Sequence, residues 1–227
     1  MVTEYNEHPI LVETADGSKT LFLNELDEQY HSLHGAATES EHVFIRHGLL
    51  AKVDKPCLTI LEVGFGTGLN CLLTLLNSNL KIRYVTLEKY VLSKELVDRL
   101  GYEKLGGGNL FRMIHAAPWN TETPLTPDFS LLKLQCDLLD IEPLPIGSVD
   151  LVYYDAFGPD KQPDMWTDEV VGHVVGFMAP GAVLVTYTAK GEVRRRFQRL
   201  GLTAERLPGP PGKREMLRAI KPELKAT

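Results

Sequence analysis

Four apolar runs in this 227-residue chain close on a carboxylate: Glu62 in LEVGFGTGLN, Glu88 in YVTLEKY, Asp137 in LQCDLLD and Asp155 in LVYYDAF. After Glu62 come Gly64, Gly66 and Gly68 at alternate positions. Glycines between a strand and a helix let the backbone approach a ligand closely at the helix N-terminus. The dinucleotide pattern G-x-G-x-x-G/A needs glycine or alanine at 69 or 71, and Leu69 and Cys71 stand there, so it fails in both registers. A carboxylate two residues before the first glycine would repel a pyrophosphate and suits a ligand bearing positive charge. Glu88, one strand later, can accept both ribose hydroxyls of an adenosine. Asp155 opens DAFGPDKQPDMW. An acid there can orient an amine and take its proton; it is equally placed to cap the turn that follows. Phe157 and Trp166 offer flat rings, and Pro159 and Pro163 stiffen the segment between them.

The elements that must position these residues are legible as alternation. Residues 9–23 read as a hairpin turning on Ala15-Asp16-Gly17-Ser18. Residues 24–52 are mixed with helical patches, and residues 1–55 are expected to form an N-terminal appendage ahead of a main domain at 56–227. From there strands are expected at 58–65, 81–90, 130–137, 148–157 and, after a Pro180-Gly181 turn, 181–189. Helices are expected at 67–78, 91–101, 164–178 and 191–201, and two last strands at 202–208 and 214–221. Residues 103–128, with three consecutive glycines and several prolines, read as an irregular excursion. Such alternation predicts an α/β fold, a mostly parallel sheet with helices on both faces, and ligands at the carboxyl ends of the strands.

The turn E-x-G-x-G-x-G resembles the first motif of class I S-adenosylmethionine (SAM)-dependent methyltransferases, a Rossmann-like fold. That resemblance implies SAM as cofactor, held by Glu62, Gly64, Gly66, Gly68 and Glu88 with Asp137 near the adenine. DAFGP has the parts of the polar-Pro-Pro-aromatic motif of amino-group methyltransferases, with Asp155 facing donor and acceptor. DAFGPDKQPDMW, TYTAKGEVRRRF, GPPGKREML, DEQYHS and GAATESEHVFI together resemble the tRNA 5-methylaminomethyl-2-thiouridine methyltransferases, that is, the methyltransferase half of bifunctional MnmC. The resemblance implies transfer of a methyl group to the primary amine of 5-aminomethyl-2-thiouridine at the wobble position, in the anticodon stem-loop. It implies a stand-alone methyltransferase without the flavin domain, so that a separate enzyme supplies the aminomethyl precursor. It also implies a uridine pocket shaped by Phe157, Pro159, Lys161, Pro163 and Trp166, continued by Thr188, Lys190, Gly191, Arg194 and Arg195, with Lys213 and Arg214 beside it. Where the family carries an aromatic residue before the basic pair, this chain has Pro210 and Pro211.

Composition narrows the alternatives. The chain is 44% hydrophobic and 24% charged, and no apolar run approaches the roughly 20 residues of a membrane span. The N-terminus lacks the basic and apolar stretches of a signal peptide. Cys57, Cys71 and Cys136 are few, scattered and set in apolar contexts, which suits reduced thiols in the cytoplasm. Asp155, Asp160 and Asp164, and His31, His34, His42 and His47, have no metal-ligand spacing, and none is expected to hold a metal. The formal net charge is −6, but residues 189–221 carry ten Lys or Arg against three Glu, a local +7. This basic segment is expected to meet a polyanion; a solvated helix face has the same composition. An aminopropyltransferase of the spermidine synthase type shares the fold and the DEQYHS-like stretch, but its cationic substrates fit a basic face poorly. A small-molecule amine methyltransferase and a non-catalytic SAM sensor are further readings. Formation of spermidine from decarboxylated SAM and putrescine would select the aminopropyltransferase.

Overall fold

The computed structural model describes residues 9–52, 55–140 and 145–223. Met1–His8, read above for a leader, lie outside the described residues, as do positions 53 and 54 beside the expected domain boundary. Two sheets form. The small one is antiparallel: β1 (Ile10–Glu13), β2 (Lys19–Leu23) and the two-residue β3 (Glu28–Gln29). Glu13 pairs with Lys19 across the Asp16-Gly17 turn, the hairpin that the sequence indicates. The Asp16 carboxylate accepts from Ser18 N and from Thr38 N and Oγ1. It thereby ties the hairpin to α1 (Ala36–Ser40).

The large sheet has eight strands. They are β4 (Cys57–Val63), β5 (Lys81–Glu88), β6 (Thr123–Thr126), β7 (Phe129–Gln135), β8 (Val149–Tyr154), β9 (Met178–Thr186), β10 (Thr203–Pro208) and β11 (Glu215–Ile220). Their spatial order is β10-β11-β9-β8-β4-β5-β7-β6. Strands β7, β5, β4, β8 and β9 run parallel, while β11, β10 and β6 pair antiparallel at the edges. Consecutive strands β4 and β5 grow one way and β8 the other, so the order reverses at β4. The crevice beside a reversal, at the carboxyl ends of the strands, is where such sheets take ligands.

Both faces are covered, which explains the near-continuous apolar strands. In β8, Leu151 and Tyr153 join a core with the α2 (Leu69–Asn77) face, whereas Val152 and Tyr154 join one with α5 (Asp168–Phe177) and α6 (Gly191–Arg199). Leu21, Phe44 and Leu49 belong to the first core, and the Phe44 ring lies 5.1 Å from Tyr153. The N-terminal segment therefore packs directly on the main sheet.

Three expectations are corrected. The excursion at 103–128 contains α4 (Leu110–Ala116) and β6, because Leu110, Phe111 and Ile114 recur at helical spacing behind the glycines. Pro180 and Gly181 lie inside β9, at a register shift against β8, and not in a turn before it. The expected helix at 164–178 is a 3-10 turn (Pro163–Trp166) followed by α5, separated by Thr167, whose hydroxyl accepts from Val170 N at the helix start. The helix read at 91–101 is α3 (Lys94–Leu100), capped by Ser93.

Candidate functional site

The carboxyl ends of β4, β5, β7 and β8 open into a cavity of about 280 Å³. Gly64 and Gly66 supply backbone to its wall. Gly64 has φ +92°, and a Cβ there would lie 2.8 Å from the Asp155 carbonyl oxygen, so glycine is required for the ends of β4 and β8 to meet. At Gly66, φ +49°, a Cβ would strike the Tyr30 ring at 2.9 Å.

Glu88 ends β5 with both oxygens occupied by backbone: Oε2 accepts from Gly66 N and Oε1 from Tyr90 N, each at 2.9 Å. Burial pushes its carboxyl up and these N–H donors oppose the shift. Each carboxylate oxygen keeps a second acceptor site, so the group can still receive ligand hydroxyls. Asp137, past the end of β7, pairs with Lys89 Nζ at 2.6 Å and accepts from Leu139 N. Asp155 follows β8; its Oδ2 accepts from Asn70 Nδ2 at 2.8 Å. Burial raises the Asp155 carboxyl well above the usual range; the Asn70 donor and Lys213 oppose this, and the Glu62 and Glu39 carboxylates add to it. All three acids line the cavity.

Glu62 does not. It is fully buried beneath the glycine turn and absent from the cavity wall, and among the described residues neither oxygen has a partner at full hydrogen-bond distance and angle. Burial raises its carboxyl to about 8. The expectation that it meets the positive charge of the donor is therefore corrected: its side chain points into the α2 face and is sealed by Asn70, Tyr84 and Thr86.

The acceptor-side expectations divide. Phe157 lines the cavity, edge-on to Tyr30 at 5.2 Å. Trp166 does not: it is 1% exposed, tilted against Tyr154 at 4.8 Å, with Nε1 donating to the Phe157 carbonyl at 2.7 Å. It fixes the loop from beneath and has no face left for a base. Pro159, Lys161 and Pro163 are also off the wall, and Gln162, Asp164 and Met165 take their place. Lys161 instead reaches the Asp27 carbonyl and carboxylate, joining the loop to the N-terminal segment.

Tyr30, His31 and Tyr187 line the cavity although the sequence reading gave them no role there. His31 Nε2 pairs with Thr67 Oγ1 at 2.8 Å, and burial lowers the ring to about 4, so it is neutral near pH 7. Tyr187 donates to the Ala156 carbonyl, and Lys213 Nζ sits 4.1 Å over its ring while pairing with the buried Glu39 at 2.5 Å. The local signal for Tyr30 and His31 was DEQYHS and for Tyr187 TYTAKGEVRRRF; nothing in DEQYHS says that it folds back over the glycine turn.

The basic segment is also reshaped. Lys190 pairs with Asp160, Arg196 and Arg199 with Asp168, Arg206 with Glu215, and Arg218 with Glu205. Lys221 Nζ is bound to the carbonyls of Val175 and Met178. Glu205 and Glu215 are already counted in the local +7, so of these partners only Asp160 and Asp168, from outside the segment, offset part of it. Arg195 and Arg214 are exposed and have no ion pair among the described residues; Arg194, half-buried, has an unpartnered Nε. A second cavity of about 640 Å³ lies toward α3 and α4, sharing Phe65, Gly66 and Glu88, but it contains neither Asp137 nor Asp155.

A glycine turn at the sheet reversal with acids at three strand ends is the geometry of a class I methyltransferase, and the comparisons agree. Residues 120–222 match the family described as S-adenosyl-L-methionine-dependent methyltransferase. The chain is thus similar to that family over 103 of its 227 residues. It is 31% identical over 207 residues to the tRNA 5-methylaminomethyl-2-thiouridine biosynthesis bifunctional protein MnmC of Cupriavidus metallidurans, covering 84% of this chain and 31% of that protein. Against MnmC of Marinomonas sp. the identity is 30%, covering 95% of this chain and 34% of that protein. The chain thus spans about a third of the length of these curated relatives. The crystal structure of MnmC2 from Aquifex aeolicus superposes with a TM-score of 0.77 at 27% identity, covering 99% of this chain and 73% of that one. No helix of the described residues is long and apolar enough to cross a membrane. Glu88, Asp137 and Asp155 on one wall give the cavity acceptors of the kind that a cationic adenosine ligand needs.

Proposed function

We propose that this methyltransferase acts on the primary amine of 5-aminomethyl-2-thiouridine at the wobble position of tRNA, giving 5-methylaminomethyl-2-thiouridine in the cytoplasm. The observation that carries the reading is Asp155, a carboxylate at the junction of the donor wall with the Tyr30, Phe157 and Tyr187 rings. The names and extent of the relatives support the substrate, and the structure supports the chemistry. In this reading Gly64, Gly66, Glu88 and Asp137 hold SAM, which supplies an electrophilic methyl group on a sulfonium. Asp155 takes one proton from the acceptor ammonium and frees the nitrogen lone pair. Its raised affinity for protons narrows the gap to an amine and makes that transfer easier. Aromatic faces beside an acid also suit a cation. The neutral nitrogen, held by Asp155 against the donor wall, would be the nucleophile for the methyl group that bound SAM would supply. Residues 1–55 serve as an appendage whose Tyr30 and His31 wall the acceptor side of the 56–227 domain.

The anticodon stem-loop is held through phosphates by Arg194, Arg195 and Arg214, with Lys190 and Lys213 spanning the rim toward the cavity. The precursor amine comes from a separate step, the oxidative removal of a carboxymethyl group. Arg195→Glu is expected to weaken tRNA binding and to lower the slope of log K against log salt by about one. A filter-binding titration at several salt concentrations checks this, and an unchanged slope would move the footprint elsewhere. The substrate itself is tested with SAM labelled in the methyl group. Label is expected in tRNA that carries the aminomethyl group and absent from tRNA that lacks it. Equal labelling of both, or labelling of putrescine by the propyl-donor analogue, would remove the reading.

A further inference from the structure

Beneath the glycine turn lies a sealed polar pocket that the reaction as described does not use. Glu62 on β4 is fully buried, and among the described residues neither of its oxygens, nor Asn70 Oδ1, Tyr84 Oη or Thr86 Oγ1 around it, has a partner at full hydrogen-bond distance and angle. The Thr86, Asn70 and Tyr84 donors nonetheless lie near enough to oppose the rise of the Glu62 carboxyl. Buried polar groups without partners are rare in native proteins, and several meeting at one place call for an explanation. Asn70 links this pocket to the site. It begins α2, is 3% exposed, and its Nδ2 donates to Asp155 Oδ2 at 2.8 Å. Only the NH₂ group of an amide can face a carboxylate, so Asp155 fixes which way Asn70 points. Asn70 Oδ1 is then a buried acceptor without a partner among the described residues, and an ionised Glu62 nearby would offer it nothing but another acceptor.

We propose that Glu62 and Asn70 are a positioning pair for Asp155: the Glu62 O–H donates to Asn70 Oδ1, Asn70 donates to Asp155 Oδ2, and Asp155 Oδ1 is left for the acceptor's proton. The proposal rests on the methyl-transfer reading given above and replaces the direct contact between Glu62 and the donor. The surroundings agree with a Glu62 that holds its proton. It is faced by Cys71 and Asn70 from α2, Tyr84 and Thr86 from β5 and Tyr153 from β8, and by the acids Glu88 and Asp155; the Thr86, Asn70 and Tyr84 donors oppose the rise of its carboxyl without cancelling it. Burial, the largest cause, raises its carboxyl to about 8. Asp155 is faced by Glu62, Asn70, Glu39 from α1, Lys213 from the turn after β10, and Tyr187 after β9. Among these Asn70 is the direct hydrogen-bond donor, so its loss moves the proton affinity of Asp155 upward.

The test uses Glu62→Gln, which keeps an N–H for Asn70 Oδ1 but can never carry charge, together with Asn70→Ala. By calorimetry, Glu62→Gln is expected to bind SAM within about threefold of the parent, since no charge contact is lost. A loss of tenfold or more would return Glu62 to the donor and overturn the proposal. Thermal melts give a second reading. The folded carboxyl is raised above its unfolded value, so the unfolded state releases its proton first. Stability from this group is present below about pH 4.5 and is lost as pH rises through about 8. Glu62→Gln is expected to lose less stability than the parent across that window, and parallel curves would contradict a protonated Glu62. Neither measurement needs an acceptor, so they stand even if tRNA is not the substrate. Asn70→Ala is expected to lower kcat by about tenfold to a hundredfold, the scale of one hydrogen bond to a charged group, with KM little changed. It should also move the acid limb of the kcat profile to higher pH. A reduced kcat with an unmoved limb would make Asn70 merely structural and overturn the pair.

Discussion

Asp155→Asn is expected to lower turnover by about 10²-fold or more while SAM affinity stays nearly intact. The amide keeps the shape of the carboxylate and its contact with Asn70, whose Nδ2 now lies 2.8 Å from Oδ2. What it loses is the ability to take a proton. Asp155→Ala should fall as far, because aim without basicity leaves the acceptor as an ammonium with no free lone pair. Neither change disturbs the backbone junction in which Asp155 N donates to the Val63 carbonyl. Single-turnover kinetics with SAM binding measured separately decides the matter: an Asn variant retaining more than about a tenth of parental turnover would reduce Asp155 to an orienting group. The same assignment fixes a pH dependence. Asp155 accepts a proton only when ionised, and burial raises its carboxyl well above the usual range. Turnover should therefore climb with pH through a limb displaced upward from that of an ordinary aspartate.

Glu88→Ala is expected to weaken SAM binding by about 10²-fold, read by calorimetry. The carboxylate does two things at once. It holds the glycine turn and the loop after β5 through Gly66 N and Tyr90 N, and in the proposed function its remaining acceptor sites take the ribose hydroxyls. Removing it takes their carboxylate acceptor from two part-buried N–H groups and takes away the hydroxyl acceptors. Glu88→Gln should fall between parent and alanine variant, since one acceptor oxygen survives. An alanine variant with parental affinity would place the ribose elsewhere.

How much of this was legible in the sequence depends on how local the signal is. The alternation of strands and helices from β4 onward is local, and so are the glycine turn and the acids that end β5, β7 and β8; all stand where the pattern puts them. The orientation of Glu62 is not local. Its position two residues before Gly64 is compatible with a side chain in the cavity, but the pleat of β4 turns it toward α2, where Asn70, Tyr84 and Thr86 enclose it. Trp166 misleads for a related reason. An aromatic residue in a proline-rich loop reads as exposed, yet the 3-10 turn at Pro163–Trp166 delivers it onto Tyr154. Tyr30, His31 and Tyr187 come from distant segments and converge only after the N-terminal strands fold over Gly66. The +7 count was correct as arithmetic and overstated as a surface, because Asp160, Asp168 and Glu39, from outside the counted segment, pair with four of its cations.

The wide role of the N-terminal segment follows from this convergence. Lys161 bonds to Asp27, Lys213 to Glu39, and His31 to Thr67, so the acceptor loop, the turn after β10 and the glycine turn are all tied to one strand-and-helix segment. That arrangement makes the acceptor wall a product of three distant stretches of chain, held on a rigid parallel sheet.

The central claim is a methyl group placed on the amine of one wobble nucleoside. Mass spectrometry of the nucleosides from tRNA bearing the 5-aminomethyl group, incubated with this protein and SAM, tests it most directly. The expected result is a gain of one methyl group on that nucleoside, located on the side-chain nitrogen by fragmentation. An unmodified aminomethyl nucleoside, or a methyl group found on any other nucleoside, would contradict it.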